Sequence, residues 1–145
     1  MQVFSYRTKI EDVKGWNCCA LSNNSQTNIS IKRLDINCST FVDIALLLTE
    51  IESIRYKVDV SEYINSFDEV PMVEGVNAYH NPELFDPIST LKYALIDARD
   101  NYRMIDALDK LILKPGQAIA IRAIPGDPYK DITITINFEA TKNAV

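Results

Sequence analysis

The sequence predicts an all-β domain, a jelly-roll-like β-sandwich with at most one or two short helices. Several short stretches alternate apolar and polar residues with a period of two, as in strands that bury one face. Clusters of Gly and Pro that favour turns separate these stretches. The chain has 145 residues, which suits one domain built from eight strands in two packed sheets. We therefore interpret residues 1–145 as a single domain.

The N-terminal segment, residues 1–16, shows little strand periodicity and is interpreted as an arm. It carries three aromatic residues, Phe4, Tyr6 and Trp16. These side chains either cover the core or anchor a partner, as aromatic residues in interfaces do. The first residues lack the charged region and apolar block that mark a signal peptide, so we expect no secretion by that route.

The first clear strand covers residues 28–36. Its apolar residues alternate as far as Ile31 and then shift by one position, to Leu34. A β-bulge, which is one extra residue in one strand of a pair, restores such a register. We expect this bulge near Lys32 and Arg33.

Two segments fit either a strand or a helix. Residues 40–54 alternate as a strand would, yet Thr40 and Asp43 also resemble a helix N-cap followed by an acidic third position. Residues 101–113 show the same ambiguity. We favour a strand for the first segment and leave the second open.

Two further strands are predicted, at residues 55–60 and 91–96. The second is apolar on both faces, which is typical of a strand covered on both sides. The pattern dissolves between them, and residues 61–88 are interpreted as a long loop. A connection of this length in a compact domain is usually functional.

The C-terminal third gives the strongest strand patterns, at residues 117–124 and 131–139. Pro115 and Gly116 precede the first of these strands and indicate a tight turn. We expect residues 111–114 to form the partner strand of a hairpin across that turn.

The sequence forms no convincing catalytic or metal site. His80 is the only histidine, so a metal-binding cupin or a two-histidine iron site has too few ligands. We interpret His80, which precedes Asn81 and Pro82, as a surface or interface residue. Carboxylates spaced three apart are more typical of a solvated face than of an acid–base pair; they are Asp97 with Asp100 and Asp106 with Asp109. The predictions are therefore no enzyme and no cofactor.

Charge and cysteine content limit the partners. The net charge of −5, with basic residues scattered singly, argues against nucleic acid and against an anionic membrane surface. The three cysteines make an odd count, which fits thiols in a reducing cell better than a disulfide framework.

The residues from Leu111 to Ile121, with Lys114-Pro115-Gly116 at their centre, and the closing strand at 132–139 resemble a known family. They are similar to the C-terminal hairpin of small jelly-roll cement (decoration) proteins of tailed bacteriophage capsids, in which a Leu-x-Pro-Gly turn joins two strands. The resemblance implies a homotrimer that is assembled in the host cytoplasm and seated on the virion. Its partner would be the major capsid protein or another virion protein.

On this hypothesis the arm and the long loop carry the contacts. The candidate interface residues are their aromatic side chains and the single histidine: Phe4, Tyr6, Trp16, Phe67, Tyr79, His80 and Phe85. An alternative is a carbohydrate- or peptide-binding β-sandwich of a tail, fibre or baseplate, in which the loop aromatics form a stacking platform. A third hypothesis, a small hydrolase using His80 or one of the carboxylate pairs, has the least support.

Overall fold

Two antiparallel β-sheets pack face to face, and the core lies between them. The computed structural model describes most of the chain in ten stretches: residues 2–10, 17–55, 58–59, 75–80, 82–84, 89–96, 101–106, 108, 110–125 and 133–142.

The described residues form thirteen strands and one short 3-10 helix, with no α-helix among them. In chain order the strands are β1 (Gln2–Ile10), β2 (Asn17–Asn23), β3 (Ile29–Cys38), β4 (Val42–Glu50), β5 (Ile54–Arg55), β6 (Val58–Asp59), β7 (Val76–His80), β8 (Glu83–Leu84), β9 (Ser89–Ile96), β10 (Asn101–Ile105), β11 (Leu111–Leu113), β12 (Gln117–Pro125) and β13 (Ile134–Lys142). The 3-10 helix covers Ile51–Ser53, directly after β4.

The strand order is that of a jelly roll. The first sheet runs β1-β13-β3-β10, with β11 also paired to β3, and the second runs β6-β7-β2-β12-β4-β9. Four strands of each sheet (β1, β13, β3 and β10 in the first; β2, β12, β4 and β9 in the second) can be numbered from one to eight in chain order, and the sheets then read 1-8-3-6 and 2-7-4-5. The chain therefore changes sheet at every step except from β4 to β9. The predicted all-β, jelly-roll-like sandwich is confirmed.

The core consists of the inward-facing residues of both sheets. Leu34, Ile36 and Phe138 of the first sheet and Ile44 and Ile121 of the second are buried there. Burial of one such side chain stabilises the fold by roughly 1.5–3 kcal/mol. Apolar and polar residues alternate in β3, β12 and β13 because every second side chain of these strands enters this core.

The second sheet is also apolar on its outer face. A separate cluster of buried residues, which we call the outer cluster, lies there: Ala20, Ala45, Leu47, Ile54, Tyr79, Ala118 and Ala120. Its members come from β2, β4, β7 and β12 and from Ile54 of β5. Strands β4 and β12 are thus covered on both sides, which explains why both of their faces are apolar.

The predicted β-bulge in β3 is confirmed. Glu139 of β13 pairs with Arg33, but its neighbour Ala140 pairs with Ile31, so Lys32 is the extra residue. Ile31 and Leu34 both remain buried as a result.

The described residues of both ambiguous segments are mainly strand and include no α-helix. Residues 42–50 form β4, and residues 101–113 contain β10 and β11. In β4, Ile44 and Leu46 enter the main core while Ala45 and Leu47 enter the outer cluster. Because pairing on both sides and burial of both faces outweigh local capping preferences, the helix alternative fails.

The expected hairpin across Pro115 and Gly116 is wrong. β11 pairs with β3 in the first sheet, whereas β12 pairs with β2 and β4 in the second. The turn itself forms, with Gly116 at φ 85° and the Gln117 amide donating to the Lys114 carbonyl at 3.0 Å. Since β12 already has neighbours on both sides, the turn carries the chain between sheets.

The N-terminal arm is a strand over most of its length. β1 pairs with β13 along nine positions, from Gln2 opposite Lys142 to Ile10 opposite Ile134. Backbone pairing with a long neighbouring strand does not require clean alternation, so the pattern gave no sign of it. Residues 11–16 lie outside the described part of the chain.

The segment interpreted as a long loop contains β7, which adds to the second sheet by pairing with β2. It also contains β8, which pairs with β5 in a separate two-stranded sheet. The strand predicted at 55–60 is divided between β5 and β6, which belong to different sheets. The rest of 61–88, apart from Gly75 and Pro82, lies outside the described residues.

Candidate functional site

Tyr79 is buried inside the domain, although the sequence placed it in an interface loop. It lies in β7 with 2% of its surface exposed and belongs to the outer cluster of the second sheet. The Ser22 hydroxyl oxygen lies 3.4 Å from the Tyr79 hydroxyl oxygen, within hydrogen-bond distance. Tyr79 therefore serves the packing of this chain and is not an exposed contact residue of the monomer.

The other candidate interface residues do not come together in the described structure. Phe4 and Tyr6 lie in β1, where the register sets them opposite Ala140 and Phe138 of β13. His80 ends β7 in the other sheet and pairs with Cys19 and Val58. Trp16, Phe67 and Phe85 lie outside the described residues.

An exposed apolar surface lies elsewhere, at one end of the second sheet. Tyr93 and Leu95 of β9 are 69% and 68% exposed, and Ile124 of β12 is 38% exposed. Leu95 and Ile124 both pair with Asp43, from opposite sides of β4, and Tyr93 pairs with Ala45. These three side chains therefore share the outer face of the sheet. We call Tyr93, Leu95 and Ile124 the outer patch.

The strand β9 that carries most of the outer patch is an edge strand. It pairs with β4 on one side and ends the strand order of the second sheet. The prediction that residues 91–96 are covered on both sides is wrong, because Tyr93 and Leu95 on the outer face of β9 are exposed. Periodicity shows that a strand face is apolar, but it does not show whether another part of the protein covers that face. Here the apolar outer face of β9 meets solvent.

A polar surface covers the outer face of the first sheet. Asp35 lies at its centre with 5% of its surface exposed. Arg33 donates from Nε to Oδ2 of Asp35 at 2.7 Å, and Arg103 donates from Nε to Oδ1 at 3.0 Å. The bond to the carboxylate raises the pKa of the Arg33 guanidinium above its ordinary value. Glu139 lies 4.0 Å from Arg33 and adds a weaker attraction.

A small cavity of about 180 Å³ opens beside these ion pairs. Its lining supplies both hydrogen-bond donors and acceptors, from Arg33, Asp35, Asn37, Asn101, Thr135 and Asn137. Within it the Asn37 amide donates to Oδ1 of Asn101 at 3.3 Å. This arrangement can bind a small polar ligand, and we call it the polar pocket.

Among the residues that the structure describes, no group of three or more His, Cys, Asp or Glu side chains is placed to hold a metal ion. No helix in the same part of the chain is long and apolar enough to cross a membrane.

Sequence reasoning missed Asp35 and the outer patch. Asp35 appears as an ordinary polar residue of an alternating strand, since nothing in the sequence brings Arg103 to it from 68 positions away. For the outer patch a signal does exist, because Tyr93 and Leu95 share one parity in β9. That parity cannot distinguish the core from an exposed face.

Comparison with protein-family models finds no family that matches this sequence. A search of the curated proteins finds none that matches it either.

Proposed function

We propose that this chain is a non-enzymatic structural protein of a virus particle, of the cement (decoration) kind, which acts by docking on copies of itself and on a shell protein. The observation that carries the proposal is the outer patch on edge strand β9. The resemblance of residues 111–139 to the C-terminal strands of phage cement proteins supports the choice of a virus particle. That support comes from the turn and strand pattern, since β11 and β12 pair in different sheets.

An apolar patch beside an edge strand favours association for two physical reasons. Covering Tyr93, Leu95 and Ile124 removes apolar surface from water, at roughly 25 cal/mol for each Å². Among the described residues β9 pairs with β4 alone, so the backbone donors and acceptors of its second edge can pair with another strand. The bulge at Leu91 and the inward-facing Lys92 make strand addition at this edge less favourable, so the outer patch is the stronger of the two reasons.

The proposed partners are two further copies of this chain and the major capsid protein. In a homotrimer each contact is heterologous, so the outer patch of one subunit would meet a different surface of the next. The ring closes after three copies, and one face of the trimer remains for the shell. The proposed location is the virion.

Light scattering of the purified protein over a hundredfold range of concentration tests this proposal. We expect a trimer whose mass does not change with concentration. Leu95→Lys places a charge in the outer patch and should dissociate the trimer. Leu108→Lys is the matched control, because Leu108 is 93% exposed but lies outside the patch, and it should leave the mass unchanged.

A wild-type monomer over the whole range contradicts the proposal. A trimer that Leu95→Lys leaves intact contradicts the role of the outer patch. If the trimer is found, co-sedimentation with phage shells that lack their own cement protein tests the capsid contact. If the trimer co-sediments with none of these shells, it assembles but has no demonstrated virion contact, and this result counts against the proposal.

The polar pocket favours a second candidate, a carbohydrate-binding β-sandwich module. Its asparagine, threonine, arginine and aspartate side chains offer the paired donors and acceptors that sugar hydroxyls use. A glycan array tests this candidate, with Asn137→Ala as the pocket variant and Thr90→Ala on β9 as the control. No bound glycan, or equal binding by both variants, contradicts it.

A further inference from the structure

An apolar cavity of about 370 Å³ lies between the two sheets at the edge where β9 faces β10 and β11. Its lining joins both sheets and consists of Leu46, Leu91, Lys92, Met104, Ile105 and Leu111. Leu46, Met104 and Ile105 are among the buried core residues, so the cavity reaches from the edge of the sandwich into its core. Cavities of roughly 300–1,000 Å³ with apolar walls and a few polar groups are typical of small-molecule sites.

Two irregular strand pairings produce this opening. In β9, Lys92 pairs with Leu46 but Thr90 pairs with Leu47, so Leu91 is an extra residue. In β10, Arg103 pairs with Asp35 but Ile105 pairs with Leu34, so Met104 is the extra residue. Bulges bend a strand and redirect its side chains. Here two bulges face each other across the same edge of the sandwich.

Lys92 places a positive charge at this cavity. It pairs with Leu46, whose side chain belongs to the core, so Lys92 shares the inward face of β9. Its Nζ donates to the carbonyl oxygen of Met104 at 3.1 Å and lies 5.8 Å from the centroid of the Tyr102 ring. In the part of the chain that the structure describes, no carboxylate lies within ion-pair distance of Lys92.

A lysine in this position favours an anion. The apolar walls solvate the ammonium group poorly on one side, and the Met104 carbonyl supplies only a partial negative charge. A carboxylate at the mouth would gain a charge-assisted hydrogen bond in surroundings of low dielectric constant. The apolar remainder of the same ligand would fill the space beyond Lys92.

We propose that this cavity binds an unbranched aliphatic carboxylate, with its headgroup on Lys92 and its chain between the sheets. A water-sized group occupies about 30 Å³, so a cavity of about 370 Å³ holds a chain of about eight to ten carbons with its headgroup. The proposal goes beyond the assembly role, because it concerns the inward face of β9 and not the outer patch. The two are tested by different measurements.

The test uses decanoate, with decanol as the neutral ligand of equal chain length. Isothermal titration calorimetry gives the affinities, and methionine methyl groups labelled with ¹³C give the location. The chain has three methionines, so the spectrum is simple, and Met104→Leu identifies the Met104 signal. We expect decanoate to bind saturably and to shift the Met104 signal more than the other two.

The variants separate the charge from the cavity. Lys92→Met should weaken decanoate binding about tenfold or more and leave decanol binding nearly unchanged, while Lys92→Arg should restore most of the decanoate affinity. Leu91→Trp fills the mouth and should weaken both ligands. Lys32→Met removes an exposed lysine at the β3 bulge and is the control. Urea denaturation confirms that each variant is folded.

Three results would overturn the proposal. The first is no saturable decanoate binding to the wild-type protein. The second is equal decanoate affinity in Lys92→Met and Lys32→Met, which would show that the Lys92 ammonium group does not bind the carboxylate. The third is saturable binding that leaves the Met104 signal unmoved, since the ligand would then lie elsewhere.

Discussion

Arg103 donates from its Nε to Oδ1 of Asp35 at 3.0 Å, and this contact joins the edge strand β10 to β3 on the polar face of the first sheet. Arg33 occupies the second carboxylate oxygen from within β3. The Asp35 side chain is 6% exposed, whereas both arginines reach solvent. The carboxylate therefore depends on the two arginines for most of its hydrogen bonding, and each arginine can still be solvated without it.

Asp35→Asn should lower the free energy of unfolding by about 1–2 kcal/mol, because it removes a buried charge-assisted pair and presents an amide donor to a guanidinium donor. The measurement is urea denaturation at pH 7. Glu139→Gln is the control, since Glu139 is half exposed and 4.0 Å from Arg33, and it should change stability by less than about 0.5 kcal/mol. Equal effects of the two substitutions would contradict the central position of Asp35.

Thr49→Val should stabilise the protein by up to about 1 kcal/mol. The Thr49 hydroxyl is buried and has no hydrogen-bond partner among the described residues, so the substitution removes an unsatisfied polar group and keeps the side-chain shape. Ser22→Ala is the matched opposite case. Ser22 lies in the same row of the sheet, since both residues pair with Ala118.

The Ser22 hydroxyl donates to Oδ1 of Asn24 at 2.5 Å and contacts Tyr79, so Ser22→Ala should destabilise by about 1 kcal/mol. Thermal or urea denaturation of both variants provides the comparison. Destabilisation by Thr49→Val as large as that by Ser22→Ala would show that the Thr49 hydroxyl does have a partner.

Sequence analysis located the strands whose own apolar side chains alternate into the core over many positions. β3, β12 and β13 alternate because each places every second side chain in the core, and even the Lys32 bulge is visible as a shift in that pattern. β1, β2 and β7 were missed. β2 buries Cys19 and Leu21 in the core but has only seven residues, whereas β1 and β7 are specified by pairing with β13 and β2. A partner strand far away in the sequence leaves no local record.

The candidate site was predictable to a smaller extent for a related reason. Tyr79 was expected at an interface because aromatic residues are common there. The same apolar ring is equally suited to the buried cluster on the outer face of the second sheet, of which Tyr79 is a member. Lys92 carried no signal, since a lysine in an alternating strand normally faces solvent. Its inward position follows from the register of β9 on β4, which only the structure provides.

The Cys38 thiol should make stability fall with rising pH in the alkaline range. Burial raises the pKa of Cys38 from 9.0 to about 11, so the native state keeps its proton where the unfolded chain loses it. The unfolded state then binds fewer protons than the native state, and stability decreases between about pH 9 and pH 11. Below that range the contribution is constant.

Urea denaturation of the wild type and of Cys38→Ala at pH 8 and pH 10.5 measures this effect. Cys38→Ala should lose less stability between the two pH values, because it lacks the Cys38 thiol. The other ionisable groups are the same in both proteins, so their effects cancel in the comparison. Native Cys38 should also resist alkylation by iodoacetamide at pH 8. Equal losses in the two proteins would contradict the raised pKa of Cys38.

Two glycines with left-handed backbone conformations should differ in their tolerance of a side chain. Gly75 has φ 82° and Gly116 has φ 85°, so alanine is strained at both, by about 1–2 kcal/mol. At Gly116 a Cβ would meet nothing within 4 Å, but at Gly75 it would lie 2.8 Å from Cβ and 3.0 Å from Cα of Ser25. Gly75 cannot retreat easily, because its carbonyl accepts from the Asn24 amide at 2.7 Å.

Gly116→Ala should therefore cost about 1–2 kcal/mol, and Gly75→Ala should cost about 2–5 kcal/mol because overpacking adds to the strain. Urea denaturation of both variants gives the two values under the same conditions. Gly75→Asn is a further check, since asparagine tolerates positive φ better than alanine but carries the same Cβ. If Gly75→Asn restores most of the stability, backbone strain and not contact with Ser25 controls this position.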